Sequence, residues 1–495
     1  MSPHHLVIAF HPRRRPAHSG IRIGPMPTEP QRLRDLSPQQ LKSGLAAWLG
    51  WLFDGLDMHI FTLVAVTFVA ILVNGDTFRS EFSTADKNGD GFLDASEWAV
   101  KERPADFEKA DKNRDGRISN EEFLVHSAQQ HKGDDMVKKR ASWIQAAFLI
   151  GWALGGAFFG RLGDLIGRSR SLSLTVLTYA AFTGLSFFAE TWWQLMIFRF
   201  LAALGIGGEW AVGSTLLSET WPKKWRPWTA AVLQTGVNLG VLVACVAGIL
   251  LAGKHPRWIF LVGVAPAFLV FYIRRHVPEP ETWAVEHAHT SKPSVMDLFR
   301  GAALRTTLVC VGICAFSLTA WWAFMFWQTQ HVSSLAKSVG MSPTDSDKLV
   351  NTTFGLVIGI SIIGNFVSGW LARCIGYKGA LLIMFGGFFV TMTAAFMPVH
   401  SIAAMTRFWL PAVGFWSGVF GLFTMLLPPL FPVLLRTTGA GFCYNIGRIA
   451  AAAGTIFAAQ ITQGGNFRQT LLYDGFLFIP AMLLTLLLPP QPDEN

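Results

Sequence analysis

Runs of about 20 mostly apolar residues recur along almost the whole chain, and they limit its fold more than any other feature. A bilayer core about 30 Å thick is crossed by roughly 20 helical residues. In lipid every backbone N–H and C=O must be satisfied within the protein, so only helices or closed barrels can span. These runs have the length of spanning helices and read as such. Counting them gives about twelve, over 43–72, 141–161, 171–189, 192–217, 229–251, 257–273, 306–327, 351–372, 379–398, 405–430, 439–462 and 469–488. Composition agrees: 51% hydrophobic residues, 15% charged, 19 Trp, 40 Phe and a mean hydropathy of +0.37. The chain reads as an all-α membrane protein embedded in a lipid bilayer.

The net charge of +9 does not point to nucleic acid. The basic residues sit in short loops: "RRR" at 13–15, "RLR" at 32–34, "RLGDLIGRSR" at 161–170, "PKKWR" at 222–226, "RR" at 274–275 and "ARCIGYK" at 372–378. With twelve spans and both termini in the cytoplasm, these clusters share the inner side, as the positive-inside rule requires. "GKHPRW" at 253–258 is the exception. Residues 1–40 read as a disordered cytoplasmic tail without a secretory h-region, and Met26 would serve as an alternative start. None of the five cysteines lies in the polar stretch between the first two spans, so no disulfide framework is expected, and Cys310 and Cys314 read as small buried residues.

The chain repeats itself. "GRLGDLIGRSR" follows the second span and "GWLARCIGYK" the eighth. Gly160, Leu162, Ile166 and Gly167 match Gly369, Leu371, Ile375 and Gly376, and Arg373 stands where the first copy has Asp164. A polar stretch separates two sets of six spans. In this loop Gly160 and Gly167 permit close approach and a tight turn, Asp164 suits a helix N-terminus, and Arg168 suits an acid or a helix C-terminus. The loop resembles the signature of the major facilitator superfamily. That resemblance implies a twelve-helix 6+6 fold, with Gly160, Asp164, Gly167 and Arg168 as a conformational latch. The implied organisation is a first spanning helix at 41–73, an extracytoplasmic insert at 74–140, helices two to six at 141–273, a cytoplasmic linker at 274–304 and helices seven to twelve at 305–490. "RFLAALGIGGEW" in the fourth span is similar to organic-anion proton symporters, most of all the sialate:proton branch, although Ala203 stands where a glycine is usual.

Charges inside spans are costly without a function or a partner. Asp54 and Asp57 share one face of the first span. Glu209 and Arg199 lie in the fourth. The three acids are candidates for carrying the coupled proton, with Arg199 orienting a carboxylate; structural ion pairs are the competing reading. Gln234 and Asn238, one turn apart in the fifth span, suit hydrogen bonds to a polar solute or between helices. Tyr444, Asn445 and Arg448 in the eleventh are substrate-binding candidates, because a guanidinium grips a carboxylate through two parallel bonds. Trp321, Trp322, Trp327 and Gln328 read as an interfacial belt or, less simply, a stacking surface. His59 reads as a packing residue. The chain has no phosphate-binding loop and no nucleophile–base constellation, so neither ATP-driven transport nor an enzyme is indicated.

The insert holds "DKNGDGFLDASE" and "DKNRDGRISNEE", 25 residues apart. An EF-hand loop supplies oxygens from positions 1, 3, 5, 7, 9 and 12 around a glycine at position 6. The first loop offers Asp86, Asn88, Asp90, the Phe92 carbonyl, Asp94 and Glu97. The second offers Asp111, Asn113, Asp115, the Arg117 carbonyl, Ser119 and Glu122. Two Ca2+ sites are expected, as a structural staple or as a gate acting on the first helix. The reading is a secondary transporter, monomeric, coupling a proton to a small organic anion such as sialic acid, a sugar acid or a monocarboxylate, in a bacterial inner membrane. The competing reading is a non-transporting calcium or nutrient sensor on the same fold.

Overall fold

The computed structural model describes residues 32–99, 106–131, 134–251, 254–290, 292–341, 343–461 and 467–490. Most of the tail expected at 1–40, and Met26, lie outside these residues. Residues 32–36 belong to a separate small unit with a single 3-10 turn at Leu33–Asp35.

Helix α1 (Pro38–Ala85) starts at Ser37, whose side chain and that of Gln40 cap each other's backbone N–H. Its 48 residues reach about 72 Å, far beyond the bilayer core. The position taken as the end of the first span, near 73, therefore lies inside one unbroken helix. The last turns of α1 become the entering helix of the first loop. The insert follows as β1 (Phe92–Leu93), α2 (Ala95–Ala99), α3 (Phe107–Ala110), β2 (Ile118–Ser119) and α4 (Asn120–Gln130). Strands β1 and β2 pair antiparallel, Leu93 opposite Ile118 and Phe92 opposite Ser119, so the two loops stand back to back.

The rest of the first half is α5 (Asp135–Ile166), α6 (Arg168–Ser186), α7 (Trp192–Thr220), α8 (Arg226–Leu250) and the broken pair α9 (Ile259–Val262) and α10 (Ala267–His276). The linker contains α11 (Glu281–His289). The second half comprises α12 (Gly301–Ser338), α13 (Pro343–Phe396), the successive short helices α14 (Ile402–Ala404), α15 (Leu410–Trp416) and α16 (Val419–Leu426), then α17 (Arg436–Ile461), α18 (Phe467–Phe476) and α19 (Phe478–Leu486). Among the described residues eight helices are long and apolar enough to cross a membrane. One of them divides at Gly376, where φ is 74°. Counting its two parts separately, and adding α1, α6 and α17, gives the twelve spans expected from sequence.

Small residues set the closest helix approaches. A Cβ on Gly155 of α5 would stand 2.0 Å from the Leu204 carbonyl oxygen of α7, and one on Gly207 of α7 would stand 1.9 Å from that of Trp152. The two copies of the repeated loop turn alike, at Gly167 (φ 107°) and Gly376. Each preceding helix packs its matching glycine on the start of a helix in the other half: Gly160 on Thr437 of α17, Gly369 on Pro227 of α8. The contents of the two contacts differ, since Asp164 is buried in the first while Arg373 is exposed in the second.

Candidate functional site

Midway along the bundle the acids separate into two groups. Asp57 is held by Arg199 through Nη2–Oδ2 at 2.8 Å and Nη1–Oδ1 at 3.2 Å, and Thr183 of α6 donates to the same carboxylate. Both partners are buried, and the guanidinium lies 5.0 Å from the Phe148 ring centre. Asp54, one turn earlier, sits beside Glu209 of α7, carboxyl to carboxyl. Gly50 leaves the space that Glu209 occupies, since a Cβ there would stand 1.6 Å from its Oε1. Tyr179 of α6 approaches Glu209, yet neither Glu209 oxygen nor Asp54 Oδ1 completes a hydrogen bond among the described residues.

Arg448 reaches this layer from the second half. Its guanidinium lies 3.7 Å from the ring centre of Trp152 (α5) and 4.7 Å from that of Tyr444, and Nη1 donates to Asn445 at 3.3 Å. Its Nε has no partner among the described residues. Its charge acts on Asp54 across the interface. Tyr444 also lies flat on Trp210 of α7, centroids 3.9 Å apart and planes 4° from parallel. Asn445 donates to Gly441 at 2.7 Å. Gln234 is half-buried where α8 meets Gly421 of α16, and Asn238 is buried with its Nδ2 unpartnered. The belt reading needs correcting. Trp327 stacks on Phe467 inside the second half and Trp321 packs with Phe324, Phe388 and Phe420, while only Trp322 of the three is exposed. His59 bonds the Gly55 carbonyl of its own helix at 2.9 Å.

On the side of the basic loops the two halves are tied together. Asp164 accepts the backbone N–H groups of Thr437 (3.3 Å) and Thr438 (2.9 Å), and the Thr438 hydroxyl, at the first turn of α17. Arg168 donates twice to Glu219, at 3.0 Å each, and to the carbonyls of Gly163 and Val433. Arg436 adds a second cation to Glu219 at 3.2 Å. The linker joins in, with Glu279 accepting the N–H groups of Ser169 and Arg170 and Trp283 donating to the Asp164 carbonyl at 3.0 Å.

Both insert loops are shaped for a cation. Gly91 and Gly116 take φ of 82° and 81° at position 6. Asp86, Asn88, Asp90, Asp111, Asn113 and Asp115 accept N–H groups of their own loops. Glu97 and Glu122 at position 12 each accept two N–H groups near the loop start. Asp94 accepts from Ser96 and Glu97, and the Ser96 hydroxyl above all holds its carboxyl below the usual carboxylate range. Ser119 both caps α4 and donates to Glu122. Among the described residues no three His, Cys, Asp or Glu side chains gather as a metal cluster, and the loop carboxylates accept N–H groups of their own loops. Asp111 Oδ1 is buried without a donor, the deficit a cation would fill. The residues thus fit Ca2+.

Sequence reasoning missed Trp152, Trp210, Tyr179, Glu219 and Glu279. The two tryptophans and the tyrosine are ordinary span residues in sequence, and only packing brings them to Arg448 and Glu209. Glu219, within reach of the basic loops at the C-terminal end of α7, carried a charge signal that could have been followed.

The model of the Major Facilitator Superfamily matches residues 135–455, and that of the EF hand matches 78–100 and 105–125. A putative metabolite transport protein of Haemophilus influenzae is 30% identical over 356 residues, 69% of this chain and 85% of that protein. The sialic acid transporter NanX of Escherichia coli is 26% identical over 65% of this chain and 78% of its own. Among solved structures the proton:xylose symporter XylE, bound to 6-bromo-6-deoxy-D-glucose, superposes with a TM-score of 0.63 at 14% identity, covering 92% of this chain and 96% of that one. The chain therefore belongs to the major facilitator superfamily: it is an integral membrane transporter rather than an enzyme, with an EF-hand pair between its first two spanning helices.

Proposed function

We propose that this transporter is a proton-coupled symporter of a small organic anion. It works by alternating access between a first half at 41–273, interrupted by the insert at 74–140, and a second half at 305–490. We place it in a bacterial inner membrane as a monomer, with termini and the 274–304 linker in the cytoplasm and the insert outside. The carrying observation is that the Arg448 guanidinium of one half acts electrostatically on Asp54, which sits beside Glu209 in the other.

Arg448 receives the substrate carboxylate. An anion beside two ionised carboxylates is repelled, and protonating the Asp54–Glu209 pair relieves that repulsion. Proton and anion therefore bind better together than apart, which is what symport needs. Asp57 and Arg199 hold α1 against α6 and α7. Gln234, Asn238 and Asn445 supply amides for further hydrogen bonds. The ring faces of Trp152 and Tyr444 beside the guanidinium favour a flat carboxylate, while the sialic acid named for the relative is also a carboxylate. Gly160, Asp164, Gly167 and Arg168 keep the cytoplasmic side closed and part when it opens. In the insert two Ca2+ ions, when bound, cross-link each loop through its oxygens.

The test is uptake of labelled sialic acid, lactate, a sugar acid and benzoate into proteoliposomes under an inward proton gradient. The expected result is gradient-driven accumulation of one of them, abolished by a protonophore. Uptake indifferent to the gradient would exclude coupling.

A further inference from the structure

The insert is not hung on a flexible tether. Phe78 and Phe82 of α1 pack with Leu93, Ile118 and Phe123, and the same apolar core runs on through Phe68 into Ile259 and Phe260 of α9. One polar contact ties the second loop to another outer connection. Glu121 Oε1 accepts the backbone N–H of His255 at 2.9 Å and the indole N–H of Trp258 at 3.3 Å. His255 is buried, its ring edge-on to Phe68 at 5.9 Å. Glu121 directly precedes Glu122, which takes the N–H groups of Lys112, Asn113 and Ser119 and occupies the bidentate position of the loop. The first turn of α4 is therefore fixed by closure of the second loop, and the Glu121 carboxylate is fixed with it. These attachments, to α1, to α5 through the chain and to the α8–α9 connection, all belong to the first half.

We infer that Glu121 is a positioning residue that transmits cation loading of the second loop to residues 254–258, making the insert a calcium-dependent clamp on the outer end of the first half. This rests on the calcium reading above. Releasing the loop frees the first turn of α4 and withdraws the acceptor from the half-buried His255 N–H, so the outer connection loosens with it. The clamp engages one half and rides with it as the halves rock. Calcium then tunes the order of the outer ends of α1 and α8 without bridging the two halves.

The test uses the full chain in nanodiscs, with calcium binding followed by calorimetry and amide exchange followed at residues 254–262. Saturating calcium should slow exchange at His255 and its neighbours at least tenfold relative to chelator. Glu121→Ala should bind calcium as the wild type does and lose that protection, while Glu121→Gln, whose amide oxygen still accepts, should keep it. Calcium binding without protection in the wild type, or full protection in Glu121→Ala, overturns the clamp and leaves the calcium sites standing. No calcium binding by the wild type overturns both.

Discussion

Asp164, near the end of α5 in the first half, caps α17 in the second: its Oδ2 accepts the backbone N–H of Thr438 at 2.9 Å. Removing it strands two buried N–H groups at a cost of about 1–3 kcal/mol each, and takes from Arg168 the carboxylate 3.3 Å away, leaving Glu219 to balance its charge. Asp164→Ala should therefore shift the transporter toward the state open to the cytoplasm. A cysteine at Ala440, fully buried in α17, should react at least tenfold faster with a membrane-impermeant maleimide from the cytoplasmic side. Unchanged reactivity would mean the cap does not hold the latch.

The two aspartates of α1 should fail differently. Asp57→Asn leaves the buried Arg199 without its counter-charge, a loss of about 3–5 kcal/mol. It should lower the melting temperature and yield, and Arg199→Gln in the same chain should restore much of both. Asp54→Asn should leave the melting temperature near wild type and abolish proton-driven accumulation. A stable, fully active Asp57→Asn would refute the lock.

Arg448→Lys keeps the charge and loses both the planar stacking on Trp152 and the two-pronged grip. A rise in KM of about tenfold, equivalent to ~1.4 kcal/mol, is expected in uptake assays, and Arg448→Ala should show no uptake. Equal KM values for wild type and Arg448→Lys would place the substrate carboxylate elsewhere.

Gly155→Ala drives a methyl group against the Leu204 carbonyl, which is backbone and cannot swing aside. Overpacking of this kind costs about 1–3 kcal/mol. Thermal unfolding in detergent should show a lower midpoint, with α5 and α7 forced apart; an unchanged midpoint would mean the helices slide freely.

Burial, reinforced by the Arg257 and Arg79 charges, holds the His255 pKa down to about 4, against about 6.5 in an unfolded chain. Between those values the unfolded chain takes up a proton that the folded one refuses. Stability is thus complete above pH ~6.5 and falls as the pH drops toward 4, by roughly 3 kcal/mol in all. Unfolding midpoints at saturating calcium should decline over this window in the wild type and decline less in His255→Asn. Parallel curves for the two would show that the histidine does not titrate on unfolding.

The amino-acid sequence by itself determined the membrane class, the twelve spans, the repeated loop and the EF-hand loops. Each rests on local physics: run length against bilayer thickness, a glycine in a left-handed turn, oxygens at fixed spacing. It also marked nearly every charged residue of the centre, because a charge inside a span stands out. Only the tertiary structure decided how those charges are paired. Asp54 and Asp57 are alike in sequence, yet one faces Glu209 and the other is taken by Arg199, because these two α7 residues stand at different levels along α7 and each meets a different turn of α1. The contacts of Trp152 with Arg448 and of Glu121 with His255 bring together residues more than a hundred positions apart. Such partners leave no periodic trace in the chain, since they are selected by how closely packed helices meet.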